Sequence, residues 1–585
     1  AASHGDMTRA EQAFAEATAM APTDPRVPLA IGTAYYGLGR RDDAIRVWAQ
    51  ALTVARSPDL LYNLGIAFRS KSLYAQSIQA FDEVVEASTP PPYDALFQLA
   101  DTYARANDNP DALAAYKRLT IAYPGSAAAW NNYGNLLEHL GQSEPAVAAY
   151  KEGLKAGPKD GELLFNLGRA QEHAKDAPGA IASYEAAVKA DPTLSEAWNN
   201  LGVLYDHAGK KNESLAAFKQ ASQARTSFVN GHYNYGVAQL RQGHLAEAMT
   251  ALEKTTQLDP NNADAFNMLG EAYLRAGRTA EAMTAYKRGQ QLKPKDPASR
   301  LGLGVVALET KRYDEALGLF NEAIALNPSD GVGYLMAGRV LLEKGDVAGA
   351  VASSKEAAIR SPNSPEVAMG LGAALERQGL LADALEQYER GMNLAPNDAQ
   401  NKLIFAHLAE KMGAFDRARA AYQAAITASG GEADARRRLA EVHVKNGNLD
   451  QAASVLSDAI KVFPADGDLK VRLAEVEYRQ AKYDPAEANL QAALRTTGAH
   501  VGRAHYLMAF LAYHKGNTIA AQKELDATIA TAPDMAEAYF LKGEIYAAAG
   551  KNDLARQNYN RAISLKDSYT DAILALRKLD AKASP

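Results

Sequence analysis

Prolines fall in one register across most of this chain. Pro124, Pro158 and Pro192 are spaced by 34 residues, and Pro260, Pro294, Pro328, Pro362, Pro396 and Pro464 keep the same phase. The stretch Ala263–Asp296 between two of them reads as a pair of short amphipathic segments. The first carries Phe266, Leu269, Gly270 and Tyr273, a turn follows at Gly277, and the second carries Ala282, Tyr286 and Gly289 before Pro294. Apolar residues at steps of three and four predict helices. Proline ends them, because it has no N–H to donate and clashes with the turn before it. A hairpin of this size cannot bury its apolar face alone, so repeated copies must stack on their neighbours.

The eighth residue of each unit points to how tightly they stack. It is glycine or alanine throughout, from Gly32, Gly65 and Ala100 through Gly202, Gly270 and Gly338 to Ala406, Ala440, Ala474, Ala509 and Gly543. Glycine inside a helix costs about 0.5–1 kcal/mol against alanine, so its recurrence predicts a close crossing of the first helix over the second. The second helix repeats Ala44, Ala112, Ala146, Ala180, Ala248 and Ala282, with a large ring four residues later, among them Trp48, Phe81, Tyr116, Tyr150, Tyr184, Phe218, Tyr286 and Tyr388. The three tryptophans, Trp48, Trp130 and Trp198, fall on recurring positions and are read as core.

An aromatic, then Leu-Gly, Tyr, Ala, a ring, Ala and Pro at fixed offsets in a 34-residue period resembles the tetratricopeptide repeat. The expected fold is therefore all-α: a right-handed α-solenoid of about sixteen such units. Residues 1–24 read as the second helix of a truncated unit, with Gly5, Ala10, Phe14, Ala17 and Pro22 on its consensus positions. Residues 25–569 hold sixteen tandem units, and residues 570–585 a capping helix and tail with Arg577 at the close-packing position. Spacing slips by one residue at Pro90-Pro91-Pro92 and again near Gly498–Gly502. The opening in mid-repeat suggests a fragment of a longer precursor, with any signal or lipid anchor upstream, or else a short expression remnant.

Composition removes several function classes. A formal net charge of −6 over 585 residues supplies no general attraction for nucleic acid. Cysteine is absent, which excludes disulfides and Cys-ligated zinc, and no apolar run is long enough to span a bilayer. No H-E-x-x-H, G-x-S-x-G or phosphate-loop motif occurs, so neither a catalytic site nor a cofactor is expected. The pairs Gly302/Gly304 and Gly370/Gly372 are packing glycines within first helices. No unit has the fifth-position lysine of a chaperone-binding carboxylate clamp. The alanine-rich, cysteine-free composition leans bacterial, in the cell envelope or the cytoplasm.

The resemblance implies that first helices line a concave groove, at their positions two, five, six, nine, twelve and thirteen. Position six runs Asn63, Gln98, Asn132, Asn166, Asn200, Asn234. A carboxamide accepts one bond and donates two, so it can grip both polar groups of an extended peptide backbone. The row is similar to the asparagine ladder of the O-GlcNAc transferase repeat arm; the alternative is a consensus residue that only caps or solvates. Beside it stand Glu138-His139, Glu172-His173 and Asp206-His207, read as a polar wall, since zinc needs donors closer than stacked repeats bring them. An apolar zone follows with Met268, Leu301, Leu335, Met336, Met369 and Leu403, either a binding surface or partly buried. Next come Arg437, Arg438 and Arg472, interspersed with Glu441 and Glu475, which either hold an acidic ligand or form a solvated face. Last is an aromatic zone, Tyr506, Phe510 and Tyr513. The leading expectation is a non-enzymatic scaffold binding protein or extended peptide segments along the groove. The alternative is the targeting arm of a larger enzyme or secretion assembly, such as a glycosyltransferase or polysaccharide exporter.

Overall fold

The computed structural model describes residues 7–429 and 433–583, and Gly5 lies outside them. Among the described residues every regular element is an α-helix, 34 in succession. The chain divides into two bodies, Ala1–Pro294 and Lys295–Pro585. Each is a stack of helical hairpins, an all-α solenoid built from consecutive repeats.

In the first body the first helices include Pro58–Ser70, Tyr93–Arg105, Ala127–His139, Gly161–His173, Ser195–His207, Val229–Arg241 and Ala263–Arg275. Asp160 caps one of them, its carboxylate accepting from the Leu163 N–H at 3.0 Å, which satisfies an amide with no partner in the first turn. After each first helix the chain reverses through a residue with positive φ. That residue is Gly277 (φ 74°) in one turn and Lys311 (φ 59°) in the corresponding turn of the second body. Second helices such as Ser143–Ala156 and Ala177–Ala190 then pack back on their partners.

The eighth position is where the hairpin closes. A methyl placed on Gly134 would lie 2.5 Å from Tyr150, on Gly168 2.7 Å from Tyr184, and on Gly202 2.6 Å from Phe218. In the second body the same holds for Gly304 against Phe320 and Gly372 against Tyr388, each at 2.5 Å. At three of the late alanines the facing ring becomes leucine, so volume gained on one helix is given up on the other: Ala440 shares a core with Leu456, Ala474 with Leu490, and Ala509 with Leu525. Ala406 keeps a ring, Tyr422, in its core.

Trp48 is buried at 2% exposure, but Trp130 and Trp198 are only half-buried at the edge of their cores. Each instead donates its indole N–H to the carbonyl of the register proline, Trp130 to Pro124 at 3.0 Å and Trp198 to Pro192 at 3.1 Å. Position four therefore ties the inter-repeat loop to the helix that follows it. The last helix, Thr570–Ala583, buries Ala572 and Leu579 and leaves Arg577 exposed.

Candidate functional site

The first-helix face of the N-terminal body carries the amide row. Asn63, Gln98, Asn132, Asn200 and Asn234 are half-buried, and Asn166 is buried. Asn166 Nδ2 donates to Asn131 Oδ1 at 2.9 Å, and Asn234 Nδ2 to Asn199 Oδ1 at 2.8 Å. Asn200 Nδ2 donates to the Tyr184 hydroxyl at 3.2 Å. Each of these bonds uses one N–H; Asn166 and Asn234 keep the carbonyl oxygen and the second N–H, whereas the Asn200 oxygen accepts from Asn199 Nδ2 at 3.5 Å. The side chains of Asn63 and Asn132 have no hydrogen-bond partner among the described residues, and Gln98 Oε1 is buried without one.

The partners Asn131 and Asn199 occupy position five, a second amide column that sequence reasoning missed. Its signal is an alternation, Asn131, Phe165, Asn199, Tyr233, Asn267, visible only when one repeat is compared with the next but one.

Tyrosines from the closing position reach the same face. The Tyr150 hydroxyl donates to Glu138 at 3.1 Å, and that of Tyr184 donates to Glu172 at 3.0 Å. Burial pushes the Tyr150 phenol up, and the Glu138 carboxylate beside it adds to the shift. Arg169 grips Glu138 from the next repeat with bonds of 2.6 and 3.0 Å, and His173 Nδ1 lies 3.3 Å from it. Asp206 is paired with Arg241 at 3.0 Å. The carboxylates of this wall are thus largely neutralised across repeats. His139, His173 and His207 are exposed, and no cluster among the described residues could hold a metal ion. Met268, half-buried, packs against the core of Leu240, Leu252 and Leu269.

In the C-terminal body the first helices Pro297–Glu309, Gly331–Glu343 and Pro365–Gln378 enclose a pocket of about 620 Å³. Leu308, Met336, Leu342 and Met369 are half-buried in its wall, and Leu335 is buried beneath. Gly370 stands at position six, where the amide row would continue, and a methyl there would collide with the Leu335 side chain. The absent side chain opens the pocket. Leu301 is half-buried against the Phe320 core, and Leu403 is buried at 8% beside Tyr388 and Tyr422.

Arg437, Arg438 and Arg472 are matched by carboxylates. Arg437 lies 3.4 Å from Asp434 and 3.6 Å from both Asp466 and Asp468. Arg472 bonds Asp468 at 2.8 Å and also pairs with Glu441. Arg438 stands 4.0 Å from Asp434 and Glu441. A deeper pair lies nearby: Glu410, its side chain 8% exposed, accepts from Lys445 at 2.6 Å and from the Tyr422 hydroxyl at 2.9 Å. In the aromatic zone Phe510 contacts Tyr478, Tyr506 and His514 at ring distances of 5.5, 6.2 and 4.8 Å.

Family models described as tetratricopeptide repeat match residues 29–92, 97–160, 140–195, 233–297, 335–399, 439–500 and 506–573, with further matches over 273–337, 409–465 and 183–216. The chain belongs to the tetratricopeptide repeat family. No curated protein matches the sequence. Among solved structures the chain is similar to a tetratricopeptide repeat protein from Parabacteroides merdae, at 19% identity and a TM-score of 0.39 over 43% of this chain and 97% of that one. It is also similar to yeast Tom70, at 16% identity and a TM-score of 0.35 over 68% of this chain and 96% of the other. Tetratricopeptide repeats form protein-interaction scaffolds, and this chain has that architecture along its described length. No helix among the described residues is long and apolar enough to cross a membrane.

Proposed function

We propose that this tetratricopeptide chain is a non-enzymatic scaffold that captures extended segments of partner proteins on its first-helix face. The observation that carries the reading is the row of position-six amides, some held in place by neighbouring side chains and all keeping hydrogen-bonding atoms to spare. Asn166 and Asn234 are oriented by their bonds to Asn131 and Asn199, and Asn63 and Asn132 have their whole amides available. Each new bond to a peptide backbone is worth about 0.5–1.5 kcal/mol, so a ladder gives useful affinity with little demand on sequence.

The test uses a display library of short unstructured peptides selected on the intact chain. Asn63→Ala with Asn132→Ala should weaken the selected binders by about tenfold and leave the melting temperature unchanged, because neither amide has a partner to lose. Unaltered binding in that variant would discard the backbone-capture reading.

A further inference from the structure

We propose that the pocket walled by Met336 and Met369 receives a basic amphipathic segment of a partner protein. Apolar side chains enter between the methionines, and lysine or arginine side chains reach Glu309 and Glu343. The inference rests on the reading that first-helix faces capture protein segments, and it names the chemistry of the segment taken here.

The first observation is a reversal of sign. Position thirteen of the repeat is arginine, histidine or lysine in every unit from Arg105 to His514 except two, where it is Glu309 and Glu343. In four other units this residue pairs with a position-twelve carboxylate of the preceding repeat: His173 with Glu138, Arg241 with Asp206, Lys411 with Glu376 and Lys445 with Glu410. At the two exceptions the preceding repeat offers leucine at position twelve, Leu274 before Glu309 and Leu308 before Glu343. Glu309 and Glu343 are exposed and have no ion-pair partner among the described residues. Both border the same pocket. The two acids have no structural bond to explain them.

The second observation is the wall itself. Leu308, Leu342 and the two methionines expose apolar surface around a cavity of about 620 Å³, and methionine adapts to side chains of varied shape. Glu366 adds a third carboxylate, so Glu309, Glu343 and Glu366 face two cations, Lys311 and Arg339. Arg339 Nη1 rests 3.7 Å from Met336 Sδ and has no carboxylate partner among the described residues, which leaves its guanidinium to donate to carbonyl groups of the segment. Apolar floor with an acidic border is complementary to an apolar, basic ligand and repels an acidic one.

The probe is a labelled amphipathic peptide of leucine and lysine, with a leucine–glutamate peptide of the same pattern as its counterpart, titrated against the full chain. The leucine–lysine peptide should bind and the counterpart should not. Glu309→Lys with Glu343→Lys should weaken binding by about tenfold or more, with an unchanged melting curve, since both residues are exposed. Ala373→Phe, which fills the pocket, should do the same. Binding that survives both variants would reflect the general negative charge of the chain and overturn the proposal, as would equal binding of the two peptides. Loss of binding in Asn63→Ala with Asn132→Ala would move the peptide to the other body and also overturn it. So would self-association of the chain that Ala373→Phe abolishes. If library-selected peptides still bind while the leucine–lysine peptide does not, this assignment falls and the scaffold reading stands.

Discussion

The Asn166 amide donates to the Asn131 carbonyl oxygen across two adjacent repeats, at 2.9 Å. That contact makes Asn166 part of the inter-repeat joint as well as of the groove row, and it separates the amides into two classes with different expected phenotypes.

Asn166→Ala and Asn131→Ala should each cost about 1–2 kcal/mol, because each leaves a buried or half-buried amide without its partner. The double variant should cost less than the sum by about 1 kcal/mol. Denaturant unfolding of the four proteins gives that coupling directly. Additive losses would show that the bond contributes nothing.

The closing contact between Gly202 and Phe218 makes a second prediction. Gly202→Leu should destabilise its repeat by at least about 1–3 kcal/mol through overpacking. Gly202→Ala should be tolerated far better when Phe218→Leu accompanies it, since Ala440 with Leu456 and Ala474 with Leu490 already use that pair. A wild-type melting curve for Gly202→Leu would contradict the packing.

These two cases mark what the sequence made legible. The 34-residue phase placed the first helices, and Ala127, Gly161, Ser195, Val229 and Ala263 are where they start. The eighth-position glycine pointed to the crossing because the contact is made within one hairpin. The site residues were harder to read, because their partners stand on the neighbouring repeat. Arg472 is matched by Glu441, and Asn166 by Asn131, and a list of one position down the chain shows neither. Trp130 and Trp198 look like core by position; the reach of the indole N–H to the proline carbonyl keeps each ring at the rim.

Acid should weaken the second body in two stages. His443 is buried, its Nδ1 has no partner, and burial with the nearby Arg419 charge holds its imidazole below the ordinary value of 6.5. The unfolded chain then binds the proton more tightly, so stability falls as pH drops through about 6.5. Burial works against the Glu410 carboxylate, but Lys445 and Tyr422 outweigh it and hold the group below its ordinary 4.5. Its contribution is present above that value and is lost as pH falls further. His443→Leu should remove the first stage of a pH-dependent melting series, and Lys445→Met should shrink the second. A series in which neither variant alters the profile would contradict both assignments.

The central claim is that partner segments lie on first helices and not on second ones. The most direct measurement places a photo-crosslinking residue at exposed His139, on the first helix Ala127–His139, or at exposed Lys151, on the second helix Ser143–Ala156. Each protein is then irradiated with a library-selected peptide bound. Crosslinking at 139 with none at 151 is the predicted result; crosslinking at 151 alone would place the ligand on the opposite face and contradict the account.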